Sequence, residues 1–137
     1  MAQEIKHVTM DWEAGLRFRG GPAGGPAITI DGDNAAAPGP MTTLIAALAA
    51  CTGSDLVLIL EKMRVAFTAC RIAVHGTRRE EEPRRYVAIH VDFIVSGDGL
   101  DEGKVRRAAA LSLEKYCSVA HSLAPDIALT HDVRVGG

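Results

Sequence analysis

Aromatic side chains are scarce in this chain. Among 137 residues there are three Phe, two Tyr and one Trp, 4% of the total. An interior with so few rings is built from Ala, Val, Leu and Ile, and a hydrophobic share of 47% is ordinary for a globular chain. An excess of one charge is lacking as well. Fifteen basic residues against seventeen acidic ones leave a formal net charge of -2, and no basic face offers itself to nucleic acid. Cysteine is sparse: three residues, an odd number, with no CxxC and no close pair. That excludes a disulfide framework. It also argues against zinc, which wants three or four ligands; Cys117 and His121, four apart, are a single weak pair. The opening MAQEIKHVTM has no apolar run of the kind a signal peptide needs, so a cytoplasmic location is expected. There, cysteines are catalytic, metal-binding or inert. No repeat and no second domain is evident, and one domain over residues 1–137 is expected from the length.

What is present is one long apolar segment, Met41 to Met63, with Cys51 near its middle. Pro38 and Pro40 precede it and suit a helix entry. Its polar residues are confined to Thr52-Gly53-Ser54-Asp55, and both of its faces are largely apolar. The pattern predicts a helix buried all round, ending near Arg64. The interruption comes too early for a membrane span, which needs roughly 20 apolar residues in a row. Around this helix the chain reads as strands. Glu4–Trp12 and Gly15–Arg19 pair through a turn near Glu13-Ala14, and Ala27–Asp31 follows the Gly/Pro-rich GGPAGGP. Phe67–Arg78 and Tyr86–Ser96 are joined by the charged loop TRREEEPRR into an antiparallel ribbon. Leu100–Tyr116 is an amphipathic helix with Val105, Ala109, Ser112 and Tyr116 on one stripe, and Ile127–Val135 is a last strand.

The three thiols differ in setting. Cys51 lies inside the buried helix among Ala46, Ala47, Ala49, Ala50 and Gly53, which leave room for another backbone or a small ligand. It is either a small core residue or a reactive thiol. Cys70 lies on the apolar side of a strand beside Ile72 and Val74, and is expected to be a slow, protonated thiol. Cys117 follows one helix and precedes a short turn, Ser118–Leu123; the spacing leaves open which of the two it belongs to. A Cys-His hydrolase needs a histidine within reach of the thiol, and four of the five histidines (His7, His75, His90, His131) fall on expected strands.

Two motifs, AALAACTGSDLVLIL around Cys51 and LEKYCSVAHSL around Cys117, together resemble the OsmC/Ohr family of osmotically inducible and organic hydroperoxide resistance proteins. GLRFRG followed by AITIDG resembles the start of the same family, and the likeness runs over nearly the whole chain, nearest to the OsmC-like branch. It implies an α+β fold in which antiparallel sheets wrap a central buried helix in an intertwined homodimer. It implies a thiol peroxidase, with Cys51 as the peroxidatic thiol and Cys117 as the resolving one. It implies a dithiol of the lipoyl type as the reductant and a hydroperoxide as the substrate, with no metal, haem or flavin, no nucleic acid and no membrane. Family enzymes also place an arginine near the first cysteine. Arg17 is the candidate by its place in the second strand, with Arg19 two residues on. The Ohr-type glutamate ten residues before the first cysteine is Met41 here, so the arginine is expected to lack its usual carboxylate, unless Asp55 takes that part. A non-catalytic stress protein, or a module binding a small ligand with inert thiols, is the alternative.

Overall fold

The computed structural model describes residues 2–136. Its chain divides into two compact units, one ending at Leu44 and one starting at Ile45. Each is described on its own.

The first unit holds an antiparallel sheet of β1 (Thr9–Ala14), β2 (Arg17–Gly21) and β3 (Ile28–Asp31), in that order. The β1–β2 turn falls on Gly15-Leu16, two residues later than the sequence suggests. The reason is local: Gly15 adopts φ +53, a conformation that only glycine takes without steric cost. β1 correspondingly begins at Thr9 rather than Glu4. The loop after β3 is organised by Asp31, whose carboxylate accepts the amides of Asp33 (2.9 Å), Ala35 (3.3 Å) and Ala36 (2.8 Å). Asn34 closes the loop by accepting from the Gly39 amide, and α1 (Pro40–Lys62) begins there.

The second unit contains the greater part of α1, a three-stranded sheet and the helical segments between its strands. β4 (Ala69–Arg78) pairs antiparallel with β5 (Tyr86–Ser96), as the ribbon pattern predicts, and β6 (Ala128–Gly136) lies on the other side of β5. The β5–β6 pair is parallel, the one departure from the antiparallel expectation. The connection explains it. A parallel return needs a crossover of a dozen residues or more, and here it runs through α2 (Glu102–Leu111), a π-helical turn (Ser112–Tyr116) and α3 (Ser118–Ser122). Asp101 starts α2 by accepting the Lys104 amide, and Arg106 ties α2 to β6 through Asp132 and the Val133 carbonyl.

Alternation along β5 separates two faces. Ile89, Val91, Phe93 and Val95 are buried; opposite them across the sheet stand Cys70, Ile72 and Val74 of β4 and Val133 of β6. α1 approaches β4 at Gly53, where an added Cβ would sit 3.1 Å from Ile72, so a glycine permits the close packing. The expectation of a helix buried all round is corrected within the single chain. Leu48, Thr52, Leu56 and Leu60, spaced by four, form one buried stripe, while Leu44 and Leu58 stay exposed. One stripe is what a single covering layer can bury. The membrane argument is corrected too: at 23 residues with few charges, α1 is long and apolar enough to cross a bilayer by length and composition. Its Thr52 is buried and hydrogen-bonded to Ser112 at 2.6 Å.

Candidate functional site

In the second unit the structure brings Cys51 and Cys117 together. Cys51 lies on α1, half-buried; Cys117 is fully buried. Asp55, one helical turn after Cys51, completes a cluster in which the two sulfurs and a carboxylate oxygen all lie within 4.8 Å of one another. Residues four apart share a helix face, which is why Cys51 and Asp55 both address Cys117.

The position of Cys117 comes from the π-helical turn. Its amide donates to the Ser112 carbonyl at 2.7 Å, the wider i→i−5 bond that recurs at functional sites. The sequence reads this region as ordinary helix because side-chain periodicity does not show a single widened turn. Cys117 also caps α3, its sulfur accepting the Ala120 amide at 3.4 Å. It therefore closes one helical segment and opens the next.

Ser112 supports the cluster. Its hydroxyl donates to Asp55 Oδ2 at 2.8 Å and shares the 2.6 Å contact with the Thr52 hydroxyl. Both hydroxyls belong to fully buried residues, and a buried hydroxyl without a partner is costly. The pair thus holds Asp55 in place beside the sulfurs. The sequence pattern puts Ser112 on an apolar stripe, and a polar residue in such a stripe signals a buried hydrogen bond.

Burial pushes the Cys117 thiol up, the Ala120 amide pulls it back, and its contact with Cys51 and the nearby charges of Cys51 and Asp55 push it up again. The result is about 11, so Cys117 is a protonated thiol at neutral pH. Cys70, on β4, is also raised by burial, as expected of a slow thiol, and it takes no part in the cluster.

Arg17 belongs to the first unit. Position 41 holds Met, and a different carboxylate pairs with the arginine: its Nε donates to Glu13 Oε1 at 3.0 Å across the β1–β2 turn. Asp55, in the second unit, accepts the Ser112 hydroxyl. Arg17 stands opposite Asp31 in the strand register, and its charge contributes to holding the Asp31 carboxyl below its ordinary value, after the three loop amides. Arg19, on the same strand, donates to the Thr29 hydroxyl. Glu13 was missed because a carboxylate four residues away in sequence becomes a neighbour only once the turn falls on Gly15.

The His121 ring takes no part in the thiol cluster. His90 and His75 both approach Asp92, on the other face of the sheet from the buried β5 residues.

Comparison with known proteins places these features in a context. The family model described as OsmC-like protein matches residues 31–132. The chain is similar to the protein YhfA of Escherichia coli (strain K12), 41% identical over 125 residues, covering 90% of this chain and 93% of that one. Among solved structures, a hypothetical protein from Aquifex aeolicus VF5 aligns with a TM-score of 0.85 at 29% identity, over 97% of this chain and 98% of that one. The organic hydroperoxide resistance protein OhrB of Bacillus subtilis aligns with a TM-score of 0.66 at 16% identity, over 97% and 100%, a likeness of fold.

Proposed function

The chain belongs to the OsmC-like protein family, and from that premise we propose that it is a thiol-dependent peroxidase reducing organic hydroperoxides. The observation that carries the reading is the pairing of Cys51 and Cys117, two thiols far apart in sequence whose sulfurs meet beside a held carboxylate. In the proposed cycle the Cys51 thiolate attacks the terminal oxygen of ROOH. An S–O bond forms, the O–O bond breaks, and the departing alkoxide takes a proton to become ROH. Cys51 is then a sulfenic acid. The Cys117 sulfur attacks the Cys51 sulfur; the hydroxyl leaves with the Cys117 proton as water, and a Cys51–Cys117 disulfide remains. An external dithiol of the lipoyl type reduces it by exchange. Burial keeps the Cys117 thiol protonated at rest, which disfavours it as the first nucleophile toward peroxide, and it attacks the Cys51 sulfenic acid only as it gives up its proton. Arg17 is assigned the electrostatic part on the family resemblance, with Glu13 to orient it.

A homodimer is part of the same reading. Trp12, Leu16, Phe18 and Ile28 in the first unit, and Leu44 and Leu58 on α1, are large apolar side chains left exposed, a pattern that calls for a covering surface. Sedimentation is expected to give a dimer, and Phe18→Asp a smaller species.

The test of function is a thiol count before and after one equivalent of cumene hydroperoxide, with peptide mapping. Loss of two thiols, a mapped Cys51–Cys117 bond and no loss in Cys51→Ser are the expected results. Unchanged thiols in the native protein would leave the non-catalytic reading, which the complete burial of Cys117 favours.

A further inference from the structure

We propose that the reduced Cys51, Asp55 and Cys117 form a binding site for a thiophilic divalent cation, Zn2+ being the best match, and that its occupancy and the disulfide exclude each other.

The geometry starts from helix spacing. Cys51 and Asp55 are four apart on α1, the spacing with which a helix offers two ligands to one ion on the same face. Cys117 supplies the third from outside that helix, and the three donor atoms lie within 4.8 Å of one another. Around tetrahedral zinc, with S–Zn about 2.3 Å and O–Zn about 2.0–2.2 Å, donor atoms stand about 3.6–3.8 Å apart. The cluster therefore has to tighten by about 1.2 Å at most.

The donor set selects the cation. Two thiolates exclude Mg2+ and Ca2+, which take oxygen ligands, and suit zinc, which accepts sulfur and carboxylate together. The carboxylate is oriented as metal-ligating carboxylates are: Asp55 Oδ2 accepts the Ser112 hydroxyl, itself held by Thr52, which fixes the carboxylate beside the two sulfurs. Three protein ligands leave a fourth position for water. On binding, each thiol gives up its proton to solvent and the ion takes both sulfurs. The disulfide uses the same two sulfurs for one another, so neither state can form while the other persists.

Binding is read without peroxide, so the result stands apart from whether the pair turns over. Metal-free, reduced, full-length protein is titrated anaerobically with Zn2+ by calorimetry. One ion per chain is expected, with Kd at or below about 1 μM. Cys70→Ser should match the wild type. Asp55→Asn should bind at least about tenfold more weakly, and protein first oxidised to the disulfide should not bind. On the wild type, Zn2+ should protect Cys51 and Cys117 from alkylation while Cys70 keeps its rate, which needs no variant to fold. With Co2+, a thiolate charge-transfer band should appear and vanish in Cys51→Ser. Zinc binding that survives oxidation or is indifferent to Asp55→Asn, or alkylation rates unchanged by 10-fold excess Zn2+, would overturn the proposal.

Discussion

The two compact units are held by different forces. The second has a packed apolar interior: Leu56, Leu60, Ile89, Val91, Phe93, Val95 and Val105 are fully or almost fully buried. In the first, among the described residues, the one buried side chain is the carboxylate of Asp31, while Trp12 remains 64% exposed. Its order rests on strand pairing and on three amides converging on one carboxylate. The difference teaches where each kind of perturbation will be felt: volume changes in the second unit, changes of charge state and hydrogen bonding in the first.

The sharpest way to break this contrast is to open a cavity in the packed unit. Leu56→Ala is expected to cost about 2–5 kcal/mol, read as a lowered urea midpoint with an unchanged slope. A loss under about 1 kcal/mol would mean the interior is not the source of that unit's stability.

Next in size is the thiol buried there. In a Cys51→Ser/Cys70→Ser background, ultraviolet titration of Cys117 should give a midpoint above the ordinary 9.0, because burial is the largest cause of its rise and remains. The folded value lies above the unfolded one. The corresponding stability is therefore complete below the unfolded value and is lost as pH rises towards 11. A midpoint at or below 9.0 would contradict the burial argument.

Ser112→Ala removes a hydroxyl shared by Thr52 and Asp55. The expected loss is about 1–2 kcal/mol, together with slower disulfide closure in stopped-flow, as Asp55 loses its hold. Unchanged closure would separate Asp55 from the chemistry of the thiols.

In the first unit the lever is pH. Asp31 is lowered by its amide bonds, so its contribution is present above the ordinary 3.8 and is lost as pH falls through the lowered value. The acid limb of unfolding should flatten in Asp31→Asn, and hydrogen exchange should locate the loosening in residues 32–39. The smallest effect belongs to Glu13→Gln. Its pair with Arg17 is exposed, so stability should change by no more than about 0.5 kcal/mol, and raised salt should erase even that. A distinct fall in peroxide rate without a stability change would show that Glu13 orients Arg17.

Much of this contrast can be read in the chain itself. The long apolar run predicts α1 within a residue or so, and strict alternation predicts β5 from Tyr86 to Ser96. Both signals are strong because one face or stripe must be covered whatever else happens. The parallel pairing of β6 is not legible, because alternation gives a strand its faces but not its direction. Nor is the single-stripe burial of α1, since an apolar surface says only that it can be covered, not by how many layers of one chain. The two cysteine motifs identify the thiols, but the Ser112 contact with Asp55 and, in the first unit, the Glu13 pair with Arg17 come from a widened turn and a glycine-placed hairpin. Those are backbone events with little side-chain signature.

The widened turn at Ser112–Tyr116 bears on how this pair of thiols tolerates a change in chain length. A regular α-helix advances about 100° per residue. A turn closed by an i→i−5 bond holds one residue more than a regular one. Deleting a single surface residue there, such as Lys115, would restore regular winding without touching the interior. The thiol would then stand four positions after Ser112 instead of five, one turn on in either winding, so it keeps its side of the helix. The widened turn absorbs one residue without turning the thiol away from Cys51, whereas the same deletion inside the regular winding of α2 would rotate everything after it by about 100°.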